Sequence, residues 1–330
     1  MTGASTAPAH RRVGSSDLFV SPIGLGCWQF SKGRGVGGGY WPIMPDSLID
    51  EVIRSSVDGG INWFDTAEAY GWGESERVLS RTLSALKQSR SDLVVATKWW
   101  PLLRTSGSIT RSIGRRRRCL DGAVIDLYQV HQPISFSSVE REMDAMAELV
   151  RRGEIRHVGV SNFSAPQMRR ADRRLRRHGL RLVSNQVWYN LLRRDIERNG
   201  ILETAGELGV SIIAYSPLAQ GILTGRFHDD PSKLKSVAGL RHYLPSFTRR
   251  ALTRSQGLID ALRSVSERHA ATPAQVALSW LISFHDDLVM AIPGATSLHQ
   301  AVENAGAMKL TLTADELNAI DEASKNPARR

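Results

Sequence analysis

Short apolar runs, each followed by a stretch with helical periodicity, recur along this chain of 330 residues. Runs rich in β-branched residues that alternate with helices are typical of the strands of a parallel sheet. Eight such runs are present, and eight strands close a barrel. The sequence therefore predicts an α/β fold, a (β/α)8 TIM barrel. The predicted strands are Ile23–Gly26, Ile61–Phe64, Leu93–Thr97, Ile125–Val130, Val158–Val160, Leu182–Ser184, Val210–Ala214 and Leu288–Ile292.

The helical stretches between these runs carry recognisable start signals. Ser137 and Glu140 have the S-x-x-E spacing of a capping box, and apolar residues follow on one helix face. The pair Thr272-Pro273 places a proline at the first position of another helix. The stretch Gln220–Arg250 lacks helical periodicity, so we expect an extended loop after the seventh strand.

The segment before the first strand predicts a β-hairpin. Two short runs, Arg11–Val13 and Leu18–Val20, flank the turn residues Gly14-Ser15-Ser16-Asp17. A hairpin in this place would cap the floor of the barrel. No linker marks a second domain. The predicted organisation is thus a flexible N-terminal tail over residues 1–10 and a single barrel over residues 11–330.

Cysteine and histidine usage narrows the class of protein. The two cysteines, Cys27 and Cys119, form neither a CxxC pair nor a disulfide framework. This pattern predicts a reducing compartment and a cytoplasmic location. The nine histidines are scattered without ligand spacing, so no metal site is expected. No apolar run is long enough to span a bilayer, which predicts a protein without a membrane partner.

The formal net charge of +10 is carried mostly by arginine. Arginines concentrate in two runs, Arg115–Arg118 and Arg169–Arg181. Such runs could form a patch for nucleic acid or an acidic partner, or they could be solvated helix faces. Because no aromatic residue interleaves them and no nucleic-acid motif accompanies them, we favour the helix faces and expect no nucleic-acid partner.

Polar residues stand where six of the predicted strands end. Enzymes with this barrel place their active sites at the carboxyl ends of the strands. The side chains that end these strands should therefore converge on one rim. They are Asp65, Lys98, His131, Ser161-Asn162, Asn185-Gln186 and Tyr215-Ser216.

Four of the residues near this rim have the functional groups that carbonyl reduction needs. The oxygen of a carbonyl must gain a proton as hydride reaches its carbon, and Tyr70, five residues after Asp65, can donate that proton. A neighbouring Lys98 ammonium should lower the pKa of the tyrosine, while Asp65 keeps the lysine charged and fixed. His131 can orient the substrate oxygen. Each residue alone has an ordinary structural explanation, but the four together favour catalysis.

The motifs around these residues resemble those of the aldo-keto reductase family. The resemblance covers about Arg12 to Glu322, with the motifs in order and the family's tetrad at Asp65, Tyr70, Lys98 and His131. The matching segments are Phe64-Asp65-Thr66-Ala67-Glu68-Ala69-Tyr70-Gly71, Ala96-Thr97-Lys98, Leu127-Tyr128-Gln129-Val130-His131, Gly159-Val160-Ser161-Asn162-Phe163, Asn185-Gln186, Ala214-Tyr215-Ser216-Pro217-Leu218 and Ile292-Pro293-Gly294-Ala295.

The resemblance implies a nicotinamide cofactor and a set of residues that bind it. Ser161, Asn162 and Gln186 match residues that hold the carboxamide, and Tyr215 matches the aromatic residue that stacks on the nicotinamide ring. The other implied contacts are Ser216, Leu218 and Gly221 around the pyrophosphate, Glu303 and Asn304 near the adenine, and Gly26, Trp28, Gly294, Thr296 and Gln300 along the rest of the cofactor.

The chain departs from the family where the 2′-phosphate of NADPH is usually held. The family places a basic residue after the Ile-Pro-Gly segment, but this chain has Thr296, Ser297 and Gln300 there. Without arginine or lysine, the phosphate loses a charge-assisted partner, unless Arg226 or another loop arginine replaces it. NADPH remains the expected cofactor, with NADH possible.

Aromatic residues near the predicted strand ends suggest a pocket for an apolar or aromatic carbonyl compound. Its expected lining includes Trp28, Tyr40 and Trp99. The leading hypothesis is an NADPH-dependent reductase of aldehydes or ketones that acts on a small molecule, either as a monomer or as a homo-oligomer. The alternative is a slow-turnover NADPH-binding regulatory or sensor subunit of the same fold.

Overall fold

In a computed structural model, which describes residues 10–88, 90–237, 239 and 244–325, eight parallel strands form one sheet. Each strand after the first pairs with the one before it in the chain, as expected when helices connect parallel neighbours. The strands are β1 (Leu25–Gly26), β2 (Trp63–Asp65), β3 (Val94–Trp99), β4 (Ile125–Val130), β5 (Ile155–Ser161), β6 (Leu182–Trp188), β7 (Ser211–Tyr215) and β8 (Val289–Ala291).

Hydrogen bonds between the first and last strands close the sheet. The backbone N–H of Gly24 donates to the carbonyl of Ala291 at 2.8 Å, and Gly26 donates to Pro293 at 3.0 Å. In return, Ala291 donates to the carbonyl of Pro22 at 3.0 Å. The predicted (β/α)8 barrel is therefore confirmed, and all eight predicted strands are present with small shifts in their ends.

Helices surround the barrel because each buries one apolar face against it. In the fourth helix, Met143, Met146 and Leu149 are fully buried and recur at helical spacing. The helices are α1 (Asp46–Asp58), α2 (Glu74–Leu86), α3 (Gly107–Cys119), α4 (Val139–Arg151), α5 (Ala165–Arg176), α6 (Ile201–Leu208), α7 (Arg249–Arg268), α8 (Pro273–Ser283), α9 (Leu298–Gly306) and α10 (Ala314–Lys325).

Of the two helix starts predicted from the sequence, one is confirmed and the other is displaced by one residue. Thr272 caps α8, its hydroxyl accepting the N–H of Gln275 at 3.2 Å, and proline is the first helical residue. The N-cap of α4 is Ser138 rather than the predicted Ser137. The hydroxyl of Ser137 instead accepts the backbone N–H of Ser106 at 2.9 Å, because the loop before α3 packs against it.

The N-terminal hairpin is present and closes the floor of the barrel. Its strands, Arg11–Arg12 and Phe19–Val20, pair antiparallel. Leu18 and Val20 are buried against interior side chains such as Trp63, whose indole N–H donates to the carbonyl of Ser21 at 2.9 Å. The tail expected over residues 1–10 lies outside the described residues, except for an exposed His10.

The predicted extended loop after β7 is wrong in its detail. Most of its described part consists of short helical turns, including Ala219–Thr224, Arg226–Asp229 and Pro231–Ser236. These turns pack around an apolar cluster of their own, separate from the barrel core. Irregular spacing of the apolar residues hid this from a search for periodicity. The cluster contains Ile222, Phe227, Val237, Phe247 and Leu252.

Arginines of α5 form ion pairs with the neighbouring helices. Arg170 makes two hydrogen bonds of 2.8 Å to Glu140, and Arg174 makes two of 2.6 and 2.7 Å to Asp144. Both acidic partners belong to α4, so the charges join adjacent helices around the barrel. This arrangement favours solvated, paired helix faces over a nucleic-acid surface.

In the basic run of α3, one arginine does not lie on the solvated helix face that the sequence predicts. Arg116 is fully buried and pairs with Glu76 of α2, so it is not part of a solvated face. Among the helices of the described ranges, none combines the length and the apolar character needed to cross a membrane.

Two glycine substitutions should move stability in opposite directions. A Cβ at Gly24 would lie 2.4 Å from the ring of Trp63, whereas a Cβ at Gly206 within α6 meets nothing within 4 Å. We expect Gly24→Ala to destabilise the protein by about 1–3 kcal/mol through overpacking. Gly206→Ala should stabilise it by about 0.5–1 kcal/mol, because it removes backbone entropy from the unfolded chain. Thermal unfolding midpoints measure both effects, and a Gly24→Ala protein as stable as the parent contradicts the packing.

Candidate active site

A cavity of about 750 Å³ opens at the carboxyl ends of the strands, where the sequence predicts the active site. Its wall comes from the ends of several strands and from the turns after β7. Tyr70 and His131 both reach it, next to a buried Asp65 at its floor. The volume is within the range of small-molecule and cofactor sites.

An ion pair between β2 and β3 forms the floor of this cavity. The ammonium of Lys98 donates to Asp65 and, at 2.9 Å, to the backbone carbonyl of Thr66. The other carboxylate oxygen of Asp65 accepts the side-chain amides of Gln186 at 2.8 Å and of Gln129 at 3.1 Å. Buried charges need partners of this kind, and Asp65 has three.

Gln129 is a site residue that was not predicted from the sequence. It lies on β4 two residues before His131, and side chains two apart on a strand point to the same face. The same alternation could have identified it, because His131 and Leu127 were already assigned to this strand. Gln129 is fully buried. Its side-chain amide donates to Asp65, but the residue does not line the cavity.

Tyr70 lies on the loop after β2, close to the buried pair. The ammonium of Lys98 is 5.1 Å from the centre of its ring, and the Trp28 ring is stacked on it at 6.0 Å. Burial raises the pKa of Tyr70 well above its usual value, and the charge of Asp65 adds to this. The net shift is therefore opposite to the lowering that the sequence predicts from Lys98. Tyr70 therefore keeps its proton at neutral pH.

His131 follows β4 and faces the same part of the cavity. Its ring lies 5.7 Å from that of Tyr70 and 5.1 Å from that of Trp100, edge to face in both cases. Burial, together with the charge of Lys98, holds the pKa of His131 well below its ordinary value. A neutral imidazole can donate one hydrogen bond to a substrate oxygen without adding a charge.

Amide and hydroxyl groups line the cavity beyond these residues. The hydroxyl of Tyr215 donates to the side-chain oxygen of Asn162 at 3.0 Å, and the amide of Asn162 donates to Ser161 at 3.0 Å. Asn162 has a left-handed backbone (φ 60°), which turns its side chain towards these neighbours. Burial raises the pKa of Tyr215 to about 12, so its ring is neutral.

The turns after β7 contribute residues with left-handed backbone and a guanidinium to the cavity wall. Ser216, Gln220 and Gly221 all have positive φ angles. Runs of such residues form concave sites whose N–H groups bind anions. A Cβ on Gly221 would lie 3.3 Å from the guanidinium of Arg226, which also lines the cavity. Leu218 contributes an apolar wall beside them.

The far end of the cavity is built around the start of α9. Thr296 donates to the side-chain oxygen of Gln300 from its backbone at 2.8 Å and from its hydroxyl at 3.1 Å. The amide of Asn304 donates to the carbonyl of Gly294 at 3.3 Å, and Glu303 faces the same space. A Cβ at Gly294 would lie 2.0 Å from the side-chain amide of Gln29, so any larger residue there requires Gln29 to move.

The cavity brings together the residues expected to bind the cofactor and one of the three expected to line the substrate pocket. Trp28 lines it, whereas Tyr40 lies behind Trp28 and stacks on it at 5.1 Å. The expectation for Trp99 is wrong, because Lys98 points into the barrel and the next residue of the strand must point out. Trp99 is fully buried against α3, donating to Ser108 at 3.0 Å, and Trp100 lines the cavity instead.

Each predicted cofactor residue contacts the cavity. They are Gly26, Trp28, Ser161, Asn162, Gln186, Tyr215, Ser216, Leu218, Gly221, Gly294, Thr296, Gln300, Glu303 and Asn304. Within the described part of the chain, no three His, Cys, Asp or Glu side chains lie close enough together to hold a metal ion.

Comparison with known families and curated proteins gives a consistent result. The profile of the Aldo/keto reductase family matches residues 22–325. An uncharacterized oxidoreductase of Mycobacterium tuberculosis is 36% identical over 306 residues, which is 93% of this chain and 90% of the relative. The chloroplastic pyridoxal reductase of Arabidopsis thaliana is 32% identical over 330 aligned positions, covering 96% of this chain and 86% of the relative.

Solved structures show the same similarity. The glycerol dehydrogenase of Gluconobacter oxydans is 28% identical and superposes with a TM-score of 0.81, covering 96% of this chain and 95% of that one. A thermostable aldo-keto reductase, solved in a complex with the inhibitor epalrestat, is also 28% identical. Its TM-score is 0.75, with 95% of this chain and 99% of that chain covered.

The buried pair should behave as one unit in stability measurements. Lys98→Met leaves Asp65 buried without its cation, and we expect a loss of about 3–5 kcal/mol in the free energy of unfolding. Adding Asp65→Asn to this variant removes the orphaned charge while keeping an acceptor for Gln129 and Gln186. The double variant should therefore be more stable than Lys98→Met in chemical denaturation. Losses that simply add would contradict a coupled pair.

Proposed function

Because the chain belongs to the aldo/keto reductase family and is an oxidoreductase, we propose that it reduces an aldehyde or ketone to an alcohol with a nicotinamide cofactor. The observation that carries this proposal is the cluster at the cavity floor. Tyr70 and His131, both neutral, lie beside the buried pair of Asp65 and Lys98. Proton donors next to a fixed cation suit a reaction in which negative charge develops on oxygen.

The cavity fits a dinucleotide in its size and in its unsatisfied polar groups. Among the described residues, Trp28 Nε1, Gln29 Oε1 and Gln220 Oε1 are buried at the cavity and have no hydrogen-bond partner. The guanidinium of Arg226 beside Gly221 offers a cation suited to a pyrophosphate, and Asn162 offers an amide suited to a carboxamide. When bound, the cofactor supplies the hydride that reaches the carbonyl carbon.

Side chains of the protein supply the proton that the carbonyl oxygen gains and stabilise the charge left behind. Tyr70 donates its hydroxyl proton to the carbonyl oxygen as the carbon gains hydride, and solvent later restores that proton. Lys98 stabilises the tyrosinate that develops, since its ammonium is 5.1 Å from the ring. His131 donates a hydrogen bond to the carbonyl oxygen and orients it. Asp65 holds Lys98 in place and keeps it charged.

The rim of the cavity favours a small carbonyl compound with an apolar or aromatic part. Trp28, Trp41 and Trp100 all line the cavity close to Tyr70 and His131. Flat apolar walls around a few polar groups are typical of such sites. We also propose a cytoplasmic location, which agrees with the two cysteines being free and buried.

A second candidate function follows from the pKa of Tyr70. A phenol whose pKa lies well above 10 is a weak acid at neutral pH, which slows proton transfer. This favours the slow-turnover regulatory or sensor subunit as the alternative. Steady-state assays with a panel of aldehydes separate the two. Turnover above about 1 s⁻¹ supports the enzyme, and slower turnover with tight cofactor binding supports the sensor.

Replacing the proton donor tests the mechanism. We expect Tyr70→Phe to lower turnover by about 10²–10⁴-fold, because the ring remains but the proton is gone. The dissociation constant of NADPH should stay nearly unchanged, as measured by quenching of tryptophan fluorescence. A Tyr70→Phe enzyme as active as the parent would falsify the assignment of the general acid.

A pair of variants tests the choice of cofactor. Arg226 lines the cavity and has no ion-pair partner among the described residues, whereas Thr296 and Gln300 near α9 are uncharged. We expect the parent to prefer NADPH over NADH by a modest factor. Arg226→Met should weaken NADPH by about 10–100-fold, the value of one charged hydrogen bond. Thr296→Arg should tighten NADPH and leave NADH almost unchanged.

Dissociation constants for both cofactors, measured for both variants, decide this point. If Thr296→Arg gives no gain and Arg226→Met loses affinity for NADPH but not for NADH, Arg226 binds the 2′-phosphate. If Arg226→Met binds NADPH as tightly as the parent, Arg226 has no part in phosphate binding and that assignment is wrong.

A further inference from the structure

The first turn of α2 contains two fully buried polar residues, Ser75 and Glu76, outside the cavity. The hydroxyl of Ser75 donates to the carbonyl of Cys27 at 2.7 Å and lies 2.8 Å from the hydroxyl of Thr66. Its backbone N–H donates to the carbonyl of Tyr70 at 3.2 Å. One serine thus ties the end of β1, the end of β2 and the tyrosine loop together.

Glu76 makes the corresponding contacts to β3. One of its carboxylate oxygens accepts the hydroxyl of Thr97 at 2.6 Å, and the other accepts the guanidinium of Arg116 at 2.6 Å. Thr97 points outward from the strand because Lys98, the next residue, points inward. The outward-facing hydroxyl of Thr97, which binds Glu76, and the inward-facing ammonium of Lys98 therefore belong to adjacent residues of β3.

The hydrogen bonds of Ser75 and of Glu76 both lead to residues that position Lys98. Ser75 shares a hydrogen bond with Thr66, whose carbonyl accepts the ammonium of Lys98 at 2.9 Å. Glu76 fixes Thr97, whose backbone leads directly into Lys98. Contacts that served only to pack α2 against the barrel would not need to involve both Thr66 and Thr97.

The burial of Glu76 is costly, which points to a role other than stability. Burial raises the pKa of its carboxyl to about 7 in spite of the neighbouring arginine. The guanidinium of Arg116 is also fully buried, and two of its nitrogens, Nε and Nη2, have no hydrogen-bond partner among the described residues. Buried ion pairs of this kind are often no more stable than an apolar pair of the same shape.

We propose that Ser75 and Glu76 are positioning residues that hold Lys98 and Tyr70 in their reactive arrangement, with Arg116 as the anchor of Glu76. The inference rests on the proposed function, because the arrangement matters for catalysis only if the reduction takes place. Catalytic groups must be held to within about 0.5 Å, and supporting hydrogen bonds of this kind supply that precision.

Thr97 offers the cleanest test, because removing Glu76 or Arg116 would leave a buried charge and endanger folding. Thr97→Val removes the hydroxyl at nearly constant shape, and Thr97→Ser retains it. We expect Thr97→Val to lower the single-turnover rate of hydride transfer by about tenfold, with the KM for the carbonyl and the Kd for NADPH within about twofold. Thr97→Ser should restore most of the rate.

A second comparison separates positioning from general structural damage. In a Lys98→Met background, Thr97→Val should cause no further loss of rate, because the group that it positions is gone. As a control, Ser279→Ala removes a buried hydroxyl that donates to the carbonyl of Leu310 at 2.7 Å, remote from the cavity. It should lower the thermal midpoint without changing turnover.

The crystal structure of Thr97→Val gives a readout that needs no activity. We expect the ammonium of Lys98 to move away from the carbonyl of Thr66. An unmoved ammonium with an unchanged rate overturns the inference, and so does an equal tenfold loss in the Lys98→Met background. A parent protein that reduces no carbonyl compound would instead overturn the proposed function, and the structure of the variant still decides whether Thr97 positions Lys98.

Discussion

The site depends on a lysine ammonium and a carboxylate that share the interior of a barrel. Each charge would be prohibitively costly there alone, so the position of one fixes the position of the other. Asp65 comes from β2 and Lys98 from β3, and both point inward because alternate residues of a strand face the same side. Gln129 and Gln186 then complete the shell of the carboxylate from strands further round the barrel. Burial beside this pair raises the pKa of Tyr70 and lowers that of His131, which keeps both side chains neutral.

Much of this could be predicted from sequence because strand ends and motifs are local features. The eight strands and the rim residues Asp65, Lys98 and His131 followed from short apolar runs and from what ends them. Side-chain direction was harder to predict. Trp99 and Trp100 are adjacent aromatics, and only the inward direction of Lys98 decides that the second one reaches the cavity. The predicted N-cap of α4 is likewise wrong by one residue, because Ser137 and Ser138 are adjacent and only Ser138 caps the helix.

Contacts between distant segments could not be predicted from one sequence. Arg116 lies in a run of four arginines that reads as solvent-facing, yet Glu76, forty residues away, draws it into the interior. The turns after β7 pack on apolar residues whose spacing follows no period. The raised pKa of Tyr70 also depends on how deeply the side chain is buried beside Asp65, which no motif specifies.

The ion pairs of α4 and α5 and the pair at the cavity floor respond differently to ionic strength. Arg170 and Glu140 are open to solvent, whereas Lys98 and Asp65 are shielded by the barrel. At 1 M salt the Debye length is about 3 Å, so mobile ions weaken the exposed pairs but do not reach the buried one. Concentrated salt therefore weakens the ion pairs between the outer helices before it affects the pair inside the barrel. Arg170 and Arg174 join helices on the outside of the barrel, whereas the buried Lys98 lies at its centre.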